Sequence, residues 1–278
     1  MDLKPPPLPA DLDPSRLQAA LAGCPLGRSL EVHACLTSTM DRLAQWAEAG
    51  APDGAVAIAD RQSAGRGRLG RAWEAAPGQA LMLSLLLRPP RELQDPERLA
   101  QLPMALALGV LAAVRAQLPD PTGAALKWPN DLLLGGRKVA GLLTELAWGA
   151  AGPRLVLGLG LNVRQHTFAD LPEATSLALE LGAADDDPRL HRGDLAADLL
   201  RAAAAELARL ADGEPLTPRW AAELATLGRR VRVRQIGGEG PDLQGLAEGV
   251  AADGALLLRG DDGVLRQLRA GDVSLAPG

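Results

Sequence analysis

The sequence predicts an α+β domain followed by a small C-terminal β-barrel, and three observations carry that expectation. Strand-like and helical runs interleave from residue 29 to residue 228. From Arg229 the pattern changes to short strands broken by Gly237-Gly238, Asp253-Gly254 and Asp262-Gly263, pairs suited to tight hairpin turns. The 278 residues suffice for one domain of about 200 residues plus a small one. The expected organisation is a partly ordered N-terminal extension over 1–28, a main domain over 29–228 and a barrel over 229–278.

Residues 1–12 are rich in proline. Asp13-Pro14 reads as a helix start, with an acid at the cap and proline in the first turn, and the helix stops near Gly23. A strand is expected over 29–35. The 28 residues before it are too few for a helix-turn-helix domain, so no built-in DNA-binding module is expected. Thr37-Ser38-Thr39-Met40-Asp41 opens a helix that runs to Gly50, a hydroxyl at its cap and glycine at its end. Capping explains the hydroxyls, yet a helix start also binds polar ligand groups. Residues 55–60 and 80–87 read as strands, the second apolar enough to be buried on both faces. A long apolar helix is expected over 97–118. A short strand over 124–128 runs into Lys127-Trp128-Pro129-Asn130-Asp131, and 132–134 with 138–148 form a hairpin about Gly135-Gly136. Lys127, Asp131 and Lys138 therefore lie on adjoining segments. A strand over 155–161 ends in Gly158-Leu159-Gly160-Leu161-Asn162, whose glycines permit close backbone approach. Helices over 190–210 and around Trp220 complete the main domain.

Composition narrows the function class. Apolar residues make up 47% and charged residues 23%, ordinary values for a globular protein. With five Trp, one Phe and no Tyr, leucine, valine and alanine must fill the core. Trp73 and Trp128 adjoin charged loops, where a flat rigid side chain can wall a pocket; Trp46, Trp148 and Trp220 read as packing residues. Two cysteines, Cys24 and Cys35, are too few for a zinc site or a disulfide scaffold, which fits a reducing cytoplasm. The N-terminus carries Lys4 and a proline cluster rather than a signal core, and no apolar run approaches the roughly 18 residues that cross a bilayer. Neither export nor a membrane partner is expected. His33, His166 and His191 are scattered, away from metal-ligand spacing.

One stretch departs from this background. Residues 61–73, RQSAGRGRLGRAW, hold four arginines, three glycines and no acid in a chain of formal net charge -5. Glycines 65, 67 and 70 allow close approach and left-handed backbone, and Arg66, Arg68 and Arg71 supply planar donors for carboxylate or phosphate. The loop is an anion trap. Gly65-x-Gly67-x-x-Gly70 also matches the dinucleotide fingerprint, but that motif needs small residues between its glycines and a helix directly after them. Here arginines fill the gaps, and Pro77-Gly78 and a strand follow.

Taken with Trp73, the run Gly65-Arg66-Gly67-Arg68-Leu69-Gly70-Arg71 resembles biotin protein ligase, as do Lys127-Trp128-Pro129-Asn130-Asp131 and Arg137-Lys138-Val139-Ala140-Gly141-Leu142-Leu143 with Glu145. Order and spacing match. Gly158-x-Gly160-Leu161-Asn162, the Ser38-Thr39 helix start and Gly271-Asp272-Val273-Ser274 extend the similarity from about residue 30 to the end. Any one motif would be weak, whereas the ordered set is specific. The resemblance implies a mixed β-sheet with flanking helices, like the class II synthetases, and a C-terminal barrel of the SH3-like kind. It implies ATP-dependent activation of biotin to biotinyl-5'-AMP, then transfer to a lysine of a biotin carboxyl carrier protein. Because an N-terminal DNA-binding domain is not expected, the resemblance is to the ligases that are not also repressors.

Roles follow residue by residue from that resemblance. Ser38, Thr39 and Gln62 would bind the ureido ring of biotin, with Gly65, Arg66, Gly67, Arg68, Lys138, Gly141, Gly158 and Gly160 lining the rest of its site. Arg66, Arg68, Arg71, Trp73, Lys127, Asn130, Asp131, Lys138 and Asn162 would contact ATP or the adenylate. Arg68, Lys127 and Lys138 would be catalytic, and Asp131 would meet magnesium, which prefers carboxylate and phosphate oxygens. The chemistry demands such cations, because two unit charges about 4 Å apart repel by about 4 kcal/mol at an effective dielectric of 20. Two departures from the family pattern stand out: Met40 replaces a common asparagine, and no aromatic residue lies near 174–177 to stack on adenine. The adenine contacts are thus left open.

Two further readings compete. A lipoate or octanoyl ligase of the same fold would share the apolar slot, but Ser38, Thr39 and Gln62 favour a ureido ring. A nucleic-acid binding module would use the arginine loop and the barrel, but a pI near 5.3 opposes a phosphate-neutralising face, and no nucleic-acid partner is expected. Whether the chain is a monomer or a homodimer is left open by the sequence.

Overall fold

The strand over 80–87 contains eight consecutive buried residues, and the rest of the main domain is layered around it. The computed structural model describes residues 7–149, 152–168, 171–235 and 242–275. Gly237-Gly238 and the residues Lys4 to Pro6 lie outside them. In chain order come α1 (Pro14–Ala20), β1 (Leu30–His33), α2 (Thr39–Glu48), β2 (Val56–Ala59), β3 (Ala80–Leu87) and α3 (Pro96–Arg115). Next come β4 (Ala124–Lys127), β5 (Asp131–Leu134), β6 (Arg137–Gly149), β7 (Gly152–Asn162), α4 (Leu177–Leu181), α5 (Arg192–Ala211) and α6 (Thr217–Ala222). The C-terminal part contributes β8 (Arg230–Arg234), β9 (Leu243–Val250), β10 (Leu256–Gly260), β11 (Leu265–Leu268) and β12 (Asp272–Leu275).

Seven strands form one mixed sheet in the order β1-β2-β3-β7-β6-β5-β4, with β1 and β2 parallel and the other pairs antiparallel. The parallel pair needs a crossover, which α2 supplies. Met40, Leu43 and Ala47 of α2 pack on Ala57, Leu86 and Val156 on one face of the sheet. The larger core, including α3 and α5, covers the other face. The two long helices approach closely at Gly109, where a Cβ would stand 2.6 Å from the Leu199 carbonyl oxygen.

By length and composition α3 could cross a membrane, contrary to the expectation that no apolar run approaches that length. Burial is the physical reason for its composition: 72% of its apolar window is covered inside the protein. The expected hairpin over 132–148 is present, and its second strand is the longest of the main sheet at 13 residues. Pairing with β5 ends at Gly141, so beyond it β6 has only β7 beside it. Trp148, read as a packing residue, sits at the far end of that arm and is 66% exposed.

The C-terminal strands form a separate antiparallel sheet in the order β11-β10-β9-β8-β12. Alternation of buried and exposed residues in β8, RVRVR, places Val231 and Val233 inside. Trp128 joins this sheet to the main domain. It is 1% exposed, its backbone N–H donates to Thr226 Oγ1 at 2.9 Å, and its Nε1 donates to the Gly254 carbonyl at 2.9 Å.

Candidate active site

Strand register brings the separated motifs into one line. Met82 of β3 pairs with Gly160 of β7, Gly160 with Gly141 of β6, Gly141 with Asp131 of β5, and Asp131 with Lys127 of β4. Directly paired residues project from the same face, so this row runs across five strands on the face that α2 only partly covers. The next row holds Ser84, Gly158 and Leu143. Met40, the residue that departs from the family pattern, sits over Gly158, where a Cβ would lie 2.7 Å from its sulfur.

The two glycines of the first row make a floor, and Trp73 lies on it. A Cβ on Gly160 would fall 2.2 Å from Cε2 of Trp73, and one on Gly141 would stand 3.3 Å from Cζ3 and 3.2 Å from Lys138 Nζ. Any side chain at 160 would therefore displace the indole. Lys138 Nζ stands 5.9 Å from the Trp73 ring centroid. The same ammonium is 2.7 Å from Asp131 Oδ1 in an ion pair, and Lys127 Nζ is 3.9 Å from Oδ2. Two cations thus flank one carboxylate. Trp73 Nε1 is buried without a hydrogen-bond partner in the protein. An orphan buried donor of this kind costs free energy unless a ligand or solvent satisfies it.

At the other end of the row, Ser38 caps α2 by accepting from the Met40 N–H at 3.2 Å. Gln62 Oε1 accepts from the Thr39 N–H at 2.7 Å and from Thr39 Oγ1 at 3.1 Å. Ser84 Oγ donates to Thr39 Oγ1 at 2.8 Å and is fully buried. The sequence reading missed Ser84, although it is the one polar residue in an otherwise apolar strand, and that contrast is a legible signal. These neutral groups form a buried cluster of hydroxyls and one amide, 3% exposed at both Ser38 and Thr39.

The arginine loop folds as a small hairpin. Trp73 N–H donates to the Gly65 carbonyl at 2.9 Å and Gly67 N–H to the Arg71 carbonyl at 2.8 Å. Gly65 is required for contact, since a Cβ there would meet the Trp73 carbonyl oxygen at 2.3 Å. Left-handed backbone occurs at Gly70 and at Leu69 (φ 61), the only non-glycine residue with positive φ among the described residues. That conformation costs a non-glycine residue about 1 kcal/mol. Gly67 is extended, with φ -107.

Each arginine of the loop's tip holds a protein acceptor. Arg66 pairs with Asp41 of α2 at 2.7 Å and with Glu145 of β6 at 2.9 Å. Arg68 donates to Asn130 Oδ1 at 2.9 Å and to the Gly271 carbonyl at 3.3 Å. Burial pulls the Arg68 guanidinium below its ordinary value, Asp131 and Asp272 act against that, and Arg71 adds to it. Arg71 pairs with Asp272 of β12, which Arg234 also contacts at 3.1 Å. Burial would raise the Asp272 carboxyl, but Arg71 and Arg234 outweigh burial and hold it below its usual range. Asn130 is fixed because its Nδ2 donates to the Leu142 carbonyl at 2.7 Å. A cleft of about 830 Å³ opens from Arg68 and Asn130 and runs between α3, Trp128 and the turn at Ala251–Ala255.

Arg68, Asn130, Lys127, Asp131, Lys138, Gly141, Gly160 and Trp73 are thus brought together, with Ser38, Thr39, Gln62 and Gly158 beside them. Arg66 and Arg71 stand at the rim. Asn162, expected to contact the nucleotide, is turned to neighbouring segments in this structure: its Nδ2 donates to the Thr175 carbonyl at 3.0 Å, its Oδ1 accepts from Gln165, and it is 6% exposed. With both ends of its amide engaged, it fastens the end of β7 to the segment that follows.

Comparison with known proteins bears on the chain as a whole. Residues 32–162 match the family described as "Biotin/lipoate A/B protein ligase family", and residues 226–276 match "Biotin protein ligase C terminal domain". A biotin--[acetyl-CoA-carboxylase] ligase of Mycobacterium tuberculosis (strain ATCC 25618 / H37Rv) is 39% identical over 89% of this chain and 90% of its own length. The chain belongs to the biotin protein ligase family. It is therefore a ligase, and its mixed sheet with flanking helices and separate C-terminal sheet are the fold of that family. A second relative, the biotin--[acetyl-CoA-carboxylase] ligase of Paracoccus denitrificans, is 34% identical over 74% of this chain and 84% of its own. Biotin protein ligase from Aquifex aeolicus in complex with biotin and ATP superposes with a TM-score of 0.72 at 30% identity, over 90% of this chain and all of that one.

Proposed function

We infer that this ligase activates biotin with ATP and passes it to a lysine of a biotin carboxyl carrier protein. The observation that carries the reading is the row in which Lys127 and Asp131 stand beside a glycine floor roofed by Trp73, with Lys138 paired to Asp131 and Arg68 reaching over from the loop. A carboxylate oxygen of biotin attacks the α-phosphorus and pyrophosphate leaves, giving a mixed anhydride. The lysine amine of the carrier then attacks the acyl carbon and AMP leaves.

Ser38, Thr39 and Gln62 offer hydroxyls and an amide to the ureido ring, whose carbonyl and two N–H groups call for a neutral pocket. Gly158 and Gly160 let Met40 and Trp73 lie close on the sheet, and these two side chains wall the apolar part of the site. Lys138 lies nearest the floor and meets the carboxylate and the α-phosphate. Lys127 and Arg68 draw off the charge of the phosphates, and the Asp131 ion pair of the lysine and the Asn130 and Gly271 hydrogen bonds of the arginine loosen as substrate anions take their place. Arg66 and Arg71, anchored on α2, β6 and β12, hold the lid shut over an anhydride that water would hydrolyse.

Among the described residues no three His, Cys, Asp or Glu side chains cluster as a metal cage. One carboxylate between two lysines does not hold a divalent cation by itself, so magnesium enters as the ATP complex and Asp131 is the side chain that meets it. Titration calorimetry with biotin, with and without a nonhydrolysable ATP analogue, together with pyrophosphate release, tests the reading. Release with biotin supports it. Release with lipoate and none with biotin overturns it in favour of a lipoate ligase.

A further inference from the structure

The feet of the arginine loop meet at a buried cluster of charges that contains none of the motif residues. Arg192, the first residue of α5, is fully buried. Its Nε and Nη2 donate to the two carboxylate oxygens of Asp11 at 2.8 Å each, and its Nη1 donates to Asp60 Oδ1 at 2.6 Å and to the Ala80 carbonyl at 3.1 Å. Asp60 directly follows β2 and starts the segment that carries Gln62 and the arginines. The same Asp60 oxygen accepts the Gly78 N–H at 2.9 Å, where that segment ends. Arg164, just beyond β7, donates to both Asp11 Oδ2 at 2.8 Å and the Gly78 carbonyl at 3.1 Å.

Two carboxylates and two guanidinium groups therefore tie both ends of residues 61–77 to each other, to α5, to β7 and to the N-terminal segment. Burial would raise the Asp11 carboxyl, but its bonds to Arg192 and Arg164 outweigh burial and hold it far below the usual carboxylate range. Apolar residues of similar size would commonly give the same stability without the cost of removing charge from water. What a charged hub adds is a fixed register, because its donors and acceptors fit in one arrangement only.

We propose that Asp60 and Arg192, with Asp11 and Arg164 behind them, are positioning residues that set the separation of the loop's feet and thereby its grip on the adenylate. This rests on the reading of the loop as a lid over biotinyl-AMP. The N-terminal segment then takes part in catalysis at a distance, since Asp11 reaches the loop only through the two arginines. Asp60→Asn keeps an oxygen for the Gly78 N–H while removing the charge that faces Arg192. Asp11→Asn removes the charge on the other side.

The test measures release of labelled biotinyl-AMP from the full-length enzyme, the single-turnover rate of its formation, and trypsin cleavage after Arg66, Arg68 and Arg71. Both variants should release adenylate about tenfold faster and be cut in the loop about tenfold faster, while the single-turnover rate with saturating substrates stays within about twofold, as expected for local opening. Arg192→Lys, which keeps the charge but not the fork, should fall between them and wild type. If Asp60→Asn and Asp11→Asn lower the melting temperature yet retain adenylate and resist trypsin in the loop like wild type, the hub is structural only. Should a variant fail to fold, Arg192→Lys decides by the same two readouts. Failure of wild-type protein to form any biotinyl-AMP would instead overturn the functional reading, and the proteolysis arm would still judge the hub.

Discussion

Gly160→Ala isolates the close contact on which the site depends. The new methyl carbon would arrive 2.2 Å from Cε2, 2.5 Å from Cζ2 and 2.6 Å from Nε1 of Trp73. All three distances lie far inside van der Waals contact, and the obstacle is a rigid indole at the base of a hairpin rather than the tip of a flexible chain. The backbone of β7 cannot retreat, because Gly160 is paired on one side with Met82 and on the other with Gly141. Trp73 must therefore lift and take the loop with it. Overpacking of this kind costs about 1–3 kcal/mol, and if that cost falls on the ligand-competent arrangement, the Kd for biotin rises about 5- to 150-fold. Titration calorimetry on folded variants, checked by circular dichroism, reads the effect. The same substitution made in a Trp73→Leu background should cost less than about 0.5 kcal/mol further, since the clashing ring is gone. Wild-type affinity in Gly160→Ala, or an equal loss in both backgrounds, would refute the account of Trp73 as a roof held on a glycine floor.

Other predictions follow from the same geometry. Arg68→Gly removes the bonds to Asn130 and Gly271, so adenylate should still form but escape, and mass spectrometry should find biotin on bystander lysines; undiminished retention would count against closure by the loop. Lys138→Ala should lower adenylate formation at least about tenfold more than it lowers transfer from added biotinyl-AMP, as expected for a group that stabilises the first transition state; equal losses would contradict that role. A pH effect is expected from Asp11, whose carboxyl is depressed in the folded protein. Stability from a depressed carboxyl is complete above the unfolded value of about 3.9 and lost as pH falls below it. The melting temperature of wild type should therefore drop more steeply than that of Asp11→Asn between about pH 4.5 and 2, and parallel curves would show that the Asp11 charge is not what holds the hub.

Much of the site was legible because its chemistry is local in sequence. Helix capping marked Ser38 and Thr39, and a run of arginines and glycines without acids marked the loop. The hairpin about Gly135-Gly136 placed Lys127, Asp131 and Lys138 on neighbouring strands. The bonds of Asn162 to Thr175 and Gln165 were not legible, because a motif fixes which residue is present but not where its amide turns. The exposure of Trp148 has a similar reason, since its apolar character says nothing of where β5 stops covering β6. Ser84 was passed over although a lone hydroxyl in a buried strand has to find a partner.

The sequence by itself determined the alternation of elements, the arginine loop and the ordered motifs, because periodicity, capping and glycine placement act over a few residues. Only the tertiary structure decided that Met82, Gly160, Gly141, Asp131 and Lys127 share one line across five strands, since that depends on register between residues as far apart in sequence as Met82 and Gly160. It alone joined Asp11 to Arg192 and Arg71 to Asp272. Charges so distant along the chain are brought together by the packing of the whole chain, which local patterns do not specify.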